Sequence, residues 1–446
     1  MANRASEDLG TKPVSDLIIA QSVPAAIGIL VMSLNMIVDT IFVGNFIGAV
    51  AIAVITVVLP IIFLIASIGM AVGVGGASII SRAFGAENSE KAQHTFGNQL
   101  VLSLGLSISL ATLGLFFTDE ALALFGAQGE VLAPARVYYT IVMASAPLLA
   151  MVMAGNPVIR AEGKPTFSMI ALIVPSVANL ILDYMLIVVY DYGMAGAGYA
   201  TAFSYLFSFL YITWFFNSAH SALKIKLKCL RLEWSIVKEI GALGGVTLAR
   251  QGVISVLSIV LNNTLVAYGG GAALAAYGII SRMLMFALFP VMGIAQGYQP
   301  VAGYNYGAQK FDRVRETINT SILYATGLAV MVFIVIMIFP HQIVRIFTSD
   351  VDIIQLTPNA LRIVFAITPL IAIQLIGSSY FQAIGKAGPA LLLSLSKQGF
   401  FLIPLLLILP GYFGLLGIWM SFPIADFLST SLTWYYLRRE LRENLN

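Results

Sequence analysis

Six ionisable residues interrupt long apolar stretches of this 446-residue chain: the acids Asp39, Asp183 and Asp426, and the bases Arg250, Arg282 and Lys397. A charge held at the middle of a bilayer costs roughly 2.5–3.5 kcal/mol on insertion scales, so each is a candidate for function. Asp39 lies in N-M-I-V-D-T-I-F-V-G. Asn179 and Asp183 lie in A-N-L-I-L-D-Y, four residues apart and so on one face of a helix. Thr201 follows in G-A-G-Y-A-T-A-F. Two carboxylates, an amide oxygen and a hydroxyl are hard oxygen ligands of the kind a small hard cation prefers. The same set suits a proton, because burial and a neighbouring acid both push a carboxyl towards holding one. The site is therefore open to Na+ or H+. Two structural readings compete with it: Asp39 as a helix cap near Gly44 and Asn45, and Asp183 as half of an ion pair.

The bases carry less direction. Arg250, Arg282 and Lys397 either fix backbone carbonyls, serve as counter-ions to Asp426, or face a substrate cavity; Lys397, near the end of its apolar run, also has the option of snorkelling to the interface. Met32 and Met283 are two of several methionines able to line an adaptable apolar cavity, or simply to pack. Tyr138 and Tyr139 read as residues of an interfacial aromatic belt. Gly69 and Gly73 form a G-x-x-x-G, a signal for close helix approach. A phosphate-cradling G-x-x-x-x-G-K-[ST], a dinucleotide fingerprint, H-E-x-x-H and a nucleophilic triad are all missing from the sequence, so it reads as neither an enzyme nor an ATPase, with no organic cofactor.

The elements that must position these residues follow from composition. The chain is 59% hydrophobic and 10% charged, with a mean hydropathy of +0.92. That is too little charge to cover a soluble surface, which excludes a cytosolic enzyme, and the net charge of +3 is too small for a nucleic-acid partner. One cysteine, Cys229, excludes a disulfide framework. A membrane-crossing helix needs about 20 apolar residues. Twelve stretches qualify, near 14–44, 50–81, 95–118, 131–160, 166–190, 195–218, 236–267, 272–303, 317–340, 355–383, 389–410 and 413–437. The fold expected is an all-α membrane protein of two six-helix bundles around a central cavity. The lobes would be 1–218 and 236–446. The basic segment 219–235 between them would be a cytoplasmic linker, either a plain connector or an amphipathic segment lying on the inner leaflet.

Lysine and arginine set the orientation. With the N-terminus inside, Arg4, Lys12, Arg82, Lys91, Arg160, Lys164, Lys224, Lys226, Lys228, Arg231, Lys238, Lys310, Arg313, Arg315, Lys386, Arg438, Arg439 and Arg442 all fall on the cytoplasmic side. The opposite side has Arg345, with Arg136 and Arg362 near helix ends. Both termini are thus expected in the cytoplasm, in a cytoplasmic (inner) membrane.

The halves repeat at a register of 222. F-G-A-E-N-S-E-K-A at 84–92 matches Y-G-A-Q-K-F-D-R-V at 306–314, and A-P-L-L-A-M-V-M-A-G at 146–155 matches T-P-L-I-A-I-Q-L-I-G at 368–377. Six spans is an even number, so the halves enter the membrane in the same sense, an arrangement suited to alternating access. The chemistry is not repeated: Asn179 and Asp183 fall opposite Phe401 and Leu405.

Two six-helix halves, V-D-T-I-F-V-G in span 1, I-R-A-E-G-K-P after span 4, N-L-I-L-D in span 5 and Q-P-V-A-G-Y-N-Y-G-A in span 8 together resemble the multidrug and toxic compound extrusion (MATE) transporters. I-I-S-R-M at 279–283 and S-K-Q-G-F-F-L-I-P at 396–404 look like the MepA-like bacterial branch. The resemblance implies export of amphipathic, often cationic drugs by cation-coupled antiport, hence antibiotic resistance. It implies that Asp39, Asn179, Asp183 and Thr201 form the coupling-cation site. Another branch places acids in spans 7 and 10; here the nearby residues are Gln251 and Gln374, so a second site is not expected. The partners expected are small-molecule drugs and membrane lipids, the protein being a monomer. The alternative is a lipid-linked oligosaccharide flippase of the same superfamily shape, which needs a cavity rich in arginine and lysine.

Overall fold

The computed structural model describes residues 6–444; Arg4, used above for orientation, lies outside them. Every regular element among the described residues is helical. The six helices of the first half are α1 (Val14–Phe46), α2 (Ala49–Gly85), α3 (Ser89–Phe116), α4 (Leu132–Ala161), α5 (Pro165–Asp183) and α6 (Gly193–Asn217). A continuous 74-residue helical stretch then covers Trp234–Gly307. At 1.5 Å per residue it would be about 110 Å long, several times the ~30 Å of a hydrocarbon core. It is interrupted at Gly270 (φ 62, ψ −158), a conformation that glycine tolerates, and is two crossings, α7 (234–269) and α8 (271–307). The rest are α9 (Phe311–Ile338), α10 (Val351–Ala383, with a 3-10 turn at Thr368–Leu370), α11 (Ala387–Phe413) and α12 (Leu415–Glu443). Eleven stretches are long and apolar enough to cross a membrane; with the broken one counted twice the described residues hold the expected twelve.

Short helices at Thr118–Leu124 and Pro340–Phe347 occupy the connections after α3 and α9, 222 residues apart. Thus the repeat extends to connections the sequence leaves as loops.

The chain divides into two compact units: Met1–Thr11 with Ile27–Thr247, and Lys12–Ala26 with Leu248–Asn446. The division falls inside α1 and α7, whereas the sequence places it in the 219–235 segment. Close backbone approaches explain the difference. In the first unit a Cβ on Gly75 would stand 2.5 Å from Ile240 O, and one on Gly244 2.5 Å from Ala71 O. In the second unit a Cβ on Gly293 would stand 2.6 Å from Ala26 Cβ, and one on Gly297 2.6 Å from Ser22 N. Gly75 and Ala71 stand 222 residues before Gly297 and Gly293, and their partners match at that register to within one helical turn, so the opening turns of α7 pack on α2 as the opening turns of α1 pack on α8.

Within the first unit the G-x-x-x-G works as expected. A Cβ on Gly69 or Gly73 would come within 2.8 Å of the α4 backbone at Ala150 and Ala154. That contact lets Val54, Val58, Ile61 and Ile65 of α2 and Tyr139, Val142 and Ala146 of α4 form one buried core. The second unit repeats it with Ile280, Ala287, Val364 and Phe365.

Candidate functional site

Asp39 lies within α1, which continues seven residues further to Phe46, so it caps no helix end. α5 carries Asn179 and Asp183 on one buried face, 5% and 1% exposed. The carboxyl groups of Asp39 and Asp183 meet side chain to side chain. Neither oxygen of Asp183 finds a hydrogen-bond donor. Two adjoining carboxylates in a low-dielectric site do not both stay ionised unless a cation or a shared proton lies between them. Among the described residues Asp183 forms no ion pair; it faces another acid. It stands about 27 Å along α5 from Pro165, at the end of the unit remote from the 162–164 loop.

The backbone beside Asp183 is irregular. Tyr184–Val189 continues α5 as a π turn, in which Tyr190 N–H donates to Met185 O over 2.9 Å. Such turns insert a residue and re-aim neighbouring side chains. The chain then reverses through Asp191 and Gly193, both at positive φ (54° and 53°), and α6 returns with Thr201. Thr201 donates through Oγ1 to Ala197 O at 3.0 Å and lies beside the phenol of Tyr138. Asn35 of α1 donates from Nδ2 to Asn179 Oδ1 at 3.0 Å.

Three members of this cluster are not legible in the sequence. Tyr138 of α4, 4% exposed, and Tyr205 of α6 lie in the neighbourhood of Asp39; Asn35 is one helical turn before Asp39. Tyr138 and Tyr139 are buried, not belt residues, and the Tyr139 hydroxyl donates to Gly114 O at 2.9 Å. The signal for Asn35 is its polar side chain on the same face as Asp39; for the tyrosines there is none short of the packing.

The second unit has its own buried charge pair. Lys397 Nζ stands 2.5 Å from Asp426 Oδ1, their side chains 19% and 4% exposed. Lys397 thus does not snorkel, and Asp426 has its counter-ion. Lys397 lies in a π turn, Ser396–Leu402. Arg250 is half-buried and Arg282 exposed, and neither forms an ion pair among the described residues. Gln374 is buried and donates to Leu393 O at 3.1 Å. Met283 leans on the core of its unit, and Met32 is 43% exposed in the first unit.

The linker between α6 and α7 is stitched to the first unit. Glu162, 1% exposed, accepts from Ser221 Oγ (2.7 Å), Ala222 N (3.0 Å) and Leu223 N (3.3 Å). Burial pushes its carboxyl up to about 7 against the pull of those donors and Lys224. Asn98 of α3 donates to Arg231 O at 3.2 Å and accepts from Glu233 N at 2.7 Å. Arg160, one of the charges assigned to the cytoplasmic side, is buried at 7% exposure and donates to Ser168 Oγ at 3.0 Å.

Twelve crossings in two repeated halves, with acids buried in the first, define a multi-pass membrane protein. The chain belongs to the MatE family, whose model matches residues 24–185 and 249–408. It is 29% identical over 434 residues to a protein of Staphylococcus aureus (strain MSSA476) named multidrug export protein MepA, covering 96% of this chain and 95% of that one. Among solved structures it is similar to a MOP superfamily transporter from Pyrococcus furiosus (TM-score 0.90, 25% identity, 98% and 97% of the two chains). It is also similar to a MATE transporter in a bent conformation (TM-score 0.93, 25% identity, 98% of each chain).

Proposed function

We propose that this chain exports amphipathic, often cationic drugs across a bacterial cytoplasmic membrane, coupled to inward movement of Na+ or H+. The observation that carries the reading is the contact between Asp39 and Asp183, in which neither Asp183 oxygen finds a donor. A cation or proton arriving there relieves the repulsion between the carboxylates. Asn179, held by Asn35, and Thr201, held on its own helix by Ala197 O, supply neutral oxygen to the same ion. Asp39 rides on α1, which contains Pro24. A proline inside a helix removes one backbone hydrogen bond and marks where it bends. Ion binding then favours the α1 conformation that releases drug, and by linkage drug binding weakens ion binding. The lysine and arginine distribution supports an orientation with both termini in the cytoplasm. The protein acts as a monomer on this reading.

A flippase for lipid-linked oligosaccharide would hold pyrophosphate with several free cations. Lys397 is neutralised by Asp426, which leaves only Arg250 and Arg282. The name multidrug export protein carried by the staphylococcal relative supports the drug reading. Ethidium accumulation in a pump-deficient bacterial host tests it. Expression of the wild type should lower accumulation, and Asp183→Asn, equally expressed, should not. Equal accumulation with and without the wild-type protein would overturn the drug assignment.

A further inference from the structure

The geometry points to a binding surface for anionic phospholipid headgroups on the 225–238 segment, separate from the transport site. This segment runs along the opening turns of α3. Lys224 N–H donates to Gln93 Oε1 at 2.9 Å, and Glu233 N–H donates to Asn98 Oδ1 at 2.7 Å. Between them Cys229 lies against Gly97, so closely that a Cβ there would stand 2.0 Å from Cys229 O. The side chains thereby anchored fix the depth of the segment. The first eleven residues of α3, 89–99, are S-E-K-A-Q-H-T-F-G-N-Q; unbroken apolar sequence, relieved only by serine, threonine and glycine, starts at Leu100. Gln93 to Leu100 is about 10 Å of helix, so the segment spans the headgroup layer rather than open water.

The face turned away from α3 has the composition that depth selects. Leu227 is 86% exposed, Trp234 77%, Leu232 50% and Ile225 42%. Lys226, Lys228, Arg231 and Lys238 are exposed among them, and none forms a side-chain ion pair among the described residues. The acids nearby are already engaged: Glu233 by His94, and Glu239 by Arg82 (2.9 Å) and Lys91 (3.7 Å). Four unpaired cations interleaved with aliphatic and indole side chains match phosphate charge beside an acyl boundary. A soluble anion offers no partner for Leu227 and Trp234. The Cys229–Gly97 contact holds the 3-10 turn Leu227–Leu230 with its buried side on α3 and Leu227 outward.

The test uses the full-length purified protein. Thermal unfolding in mild detergent is followed on adding phosphatidylglycerol, phosphatidylcholine, or inorganic phosphate. Wild type should be stabilised selectively by phosphatidylglycerol. In the Lys226→Gln, Lys228→Gln, Arg231→Gln variant its apparent affinity should fall about fivefold per charge removed at low salt. Equal stabilisation by both lipids, an equal effect of phosphate, or selectivity retained in the variant would each overturn the proposal. Should the variant fold poorly, a spin label at Leu227→Cys in a Cys229→Ser background reports depth directly. In phosphatidylglycerol-containing liposomes it should be more accessible to oxygen than to a water-soluble nickel chelate. The reverse order would place the turn in water and contradict the assignment.

Discussion

Lys397 Nζ and Asp426 Oδ1 stand 2.5 Å apart between α11 and α12, one buried cation matched to one buried anion. The first unit holds the opposite arrangement, Asp39 against Asp183, two acids with no base. The repeat thus supplies the same helices twice but places a neutralised pair in one unit and an uncompensated one in the other. Only the uncompensated pair requires an external charge.

The neutralised pair makes a stability prediction. Removing one partner leaves a buried charge alone, which costs about 3–5 kcal/mol. Lys397→Met or Asp426→Asn should therefore lower the unfolding temperature markedly. The double variant Lys397→Met, Asp426→Leu should recover most of the loss. Equal destabilisation by single and double variants, read by thermal unfolding, would show that the pair does not act as a pair.

The linker should loosen as pH rises. Glu162 has its carboxyl raised from 4.5 to about 7 when the linker is docked. The docked state therefore binds the proton more tightly, so docking is favoured at low pH and weakens as pH rises from about 5 through 7. Hydrogen exchange of residues 221–224 should accelerate up to about 70-fold beyond the intrinsic pH dependence between pH 5 and 8. Glu162→Gln should flatten that extra dependence. An unchanged profile in the variant would mean another group controls the linker.

Gly97 is predicted to be irreplaceable where Gly105 is not. A Cβ on Gly97 meets Cys229 O at 2.0 Å, whereas one on Gly105 meets nothing within 4 Å. Gly97→Ala should cost about 1–3 kcal/mol, as overpacking does. Gly105→Ala should be neutral or slightly stabilising, since alanine is the better helix former. Thermal unfolding of the two variants side by side checks this.

The number of crossings and the 222-residue repeat follow from apolar length and loop motifs, so they are readable without structure. Asn179 and Asp183 are readable too, because helical spacing alone puts them on one face. Asn35 shares a face with Asp39 by the same spacing, but its bond to Asn179, like the places of Tyr138 and Tyr205, depends on how α1, α4, α5 and α6 pack, which a single sequence does not encode locally. The sequence leaves the partner of Asp426 open for the same reason, three bases being available along the chain. The linker was visible as a charge run, but its attachment rests on Gln93, Asn98 and Glu162, polar residues whose hydrogen bonds reach 59 to 135 positions away.

The coupling claim is tested most directly in proteoliposomes, with dye export driven by an imposed sodium gradient alone or an imposed proton gradient alone. Asp39→Asn, Asp183→Asn and the double variant are compared with wild type. With Asp39 and Asp183 as the coupling site, wild type should export under one gradient. Coupled export should be lost in each single variant, with no further loss in the double, because the two carboxylates act as one unit. Export by folded Asp183→Asn protein at the wild-type rate, under the same gradient, would contradict that assignment.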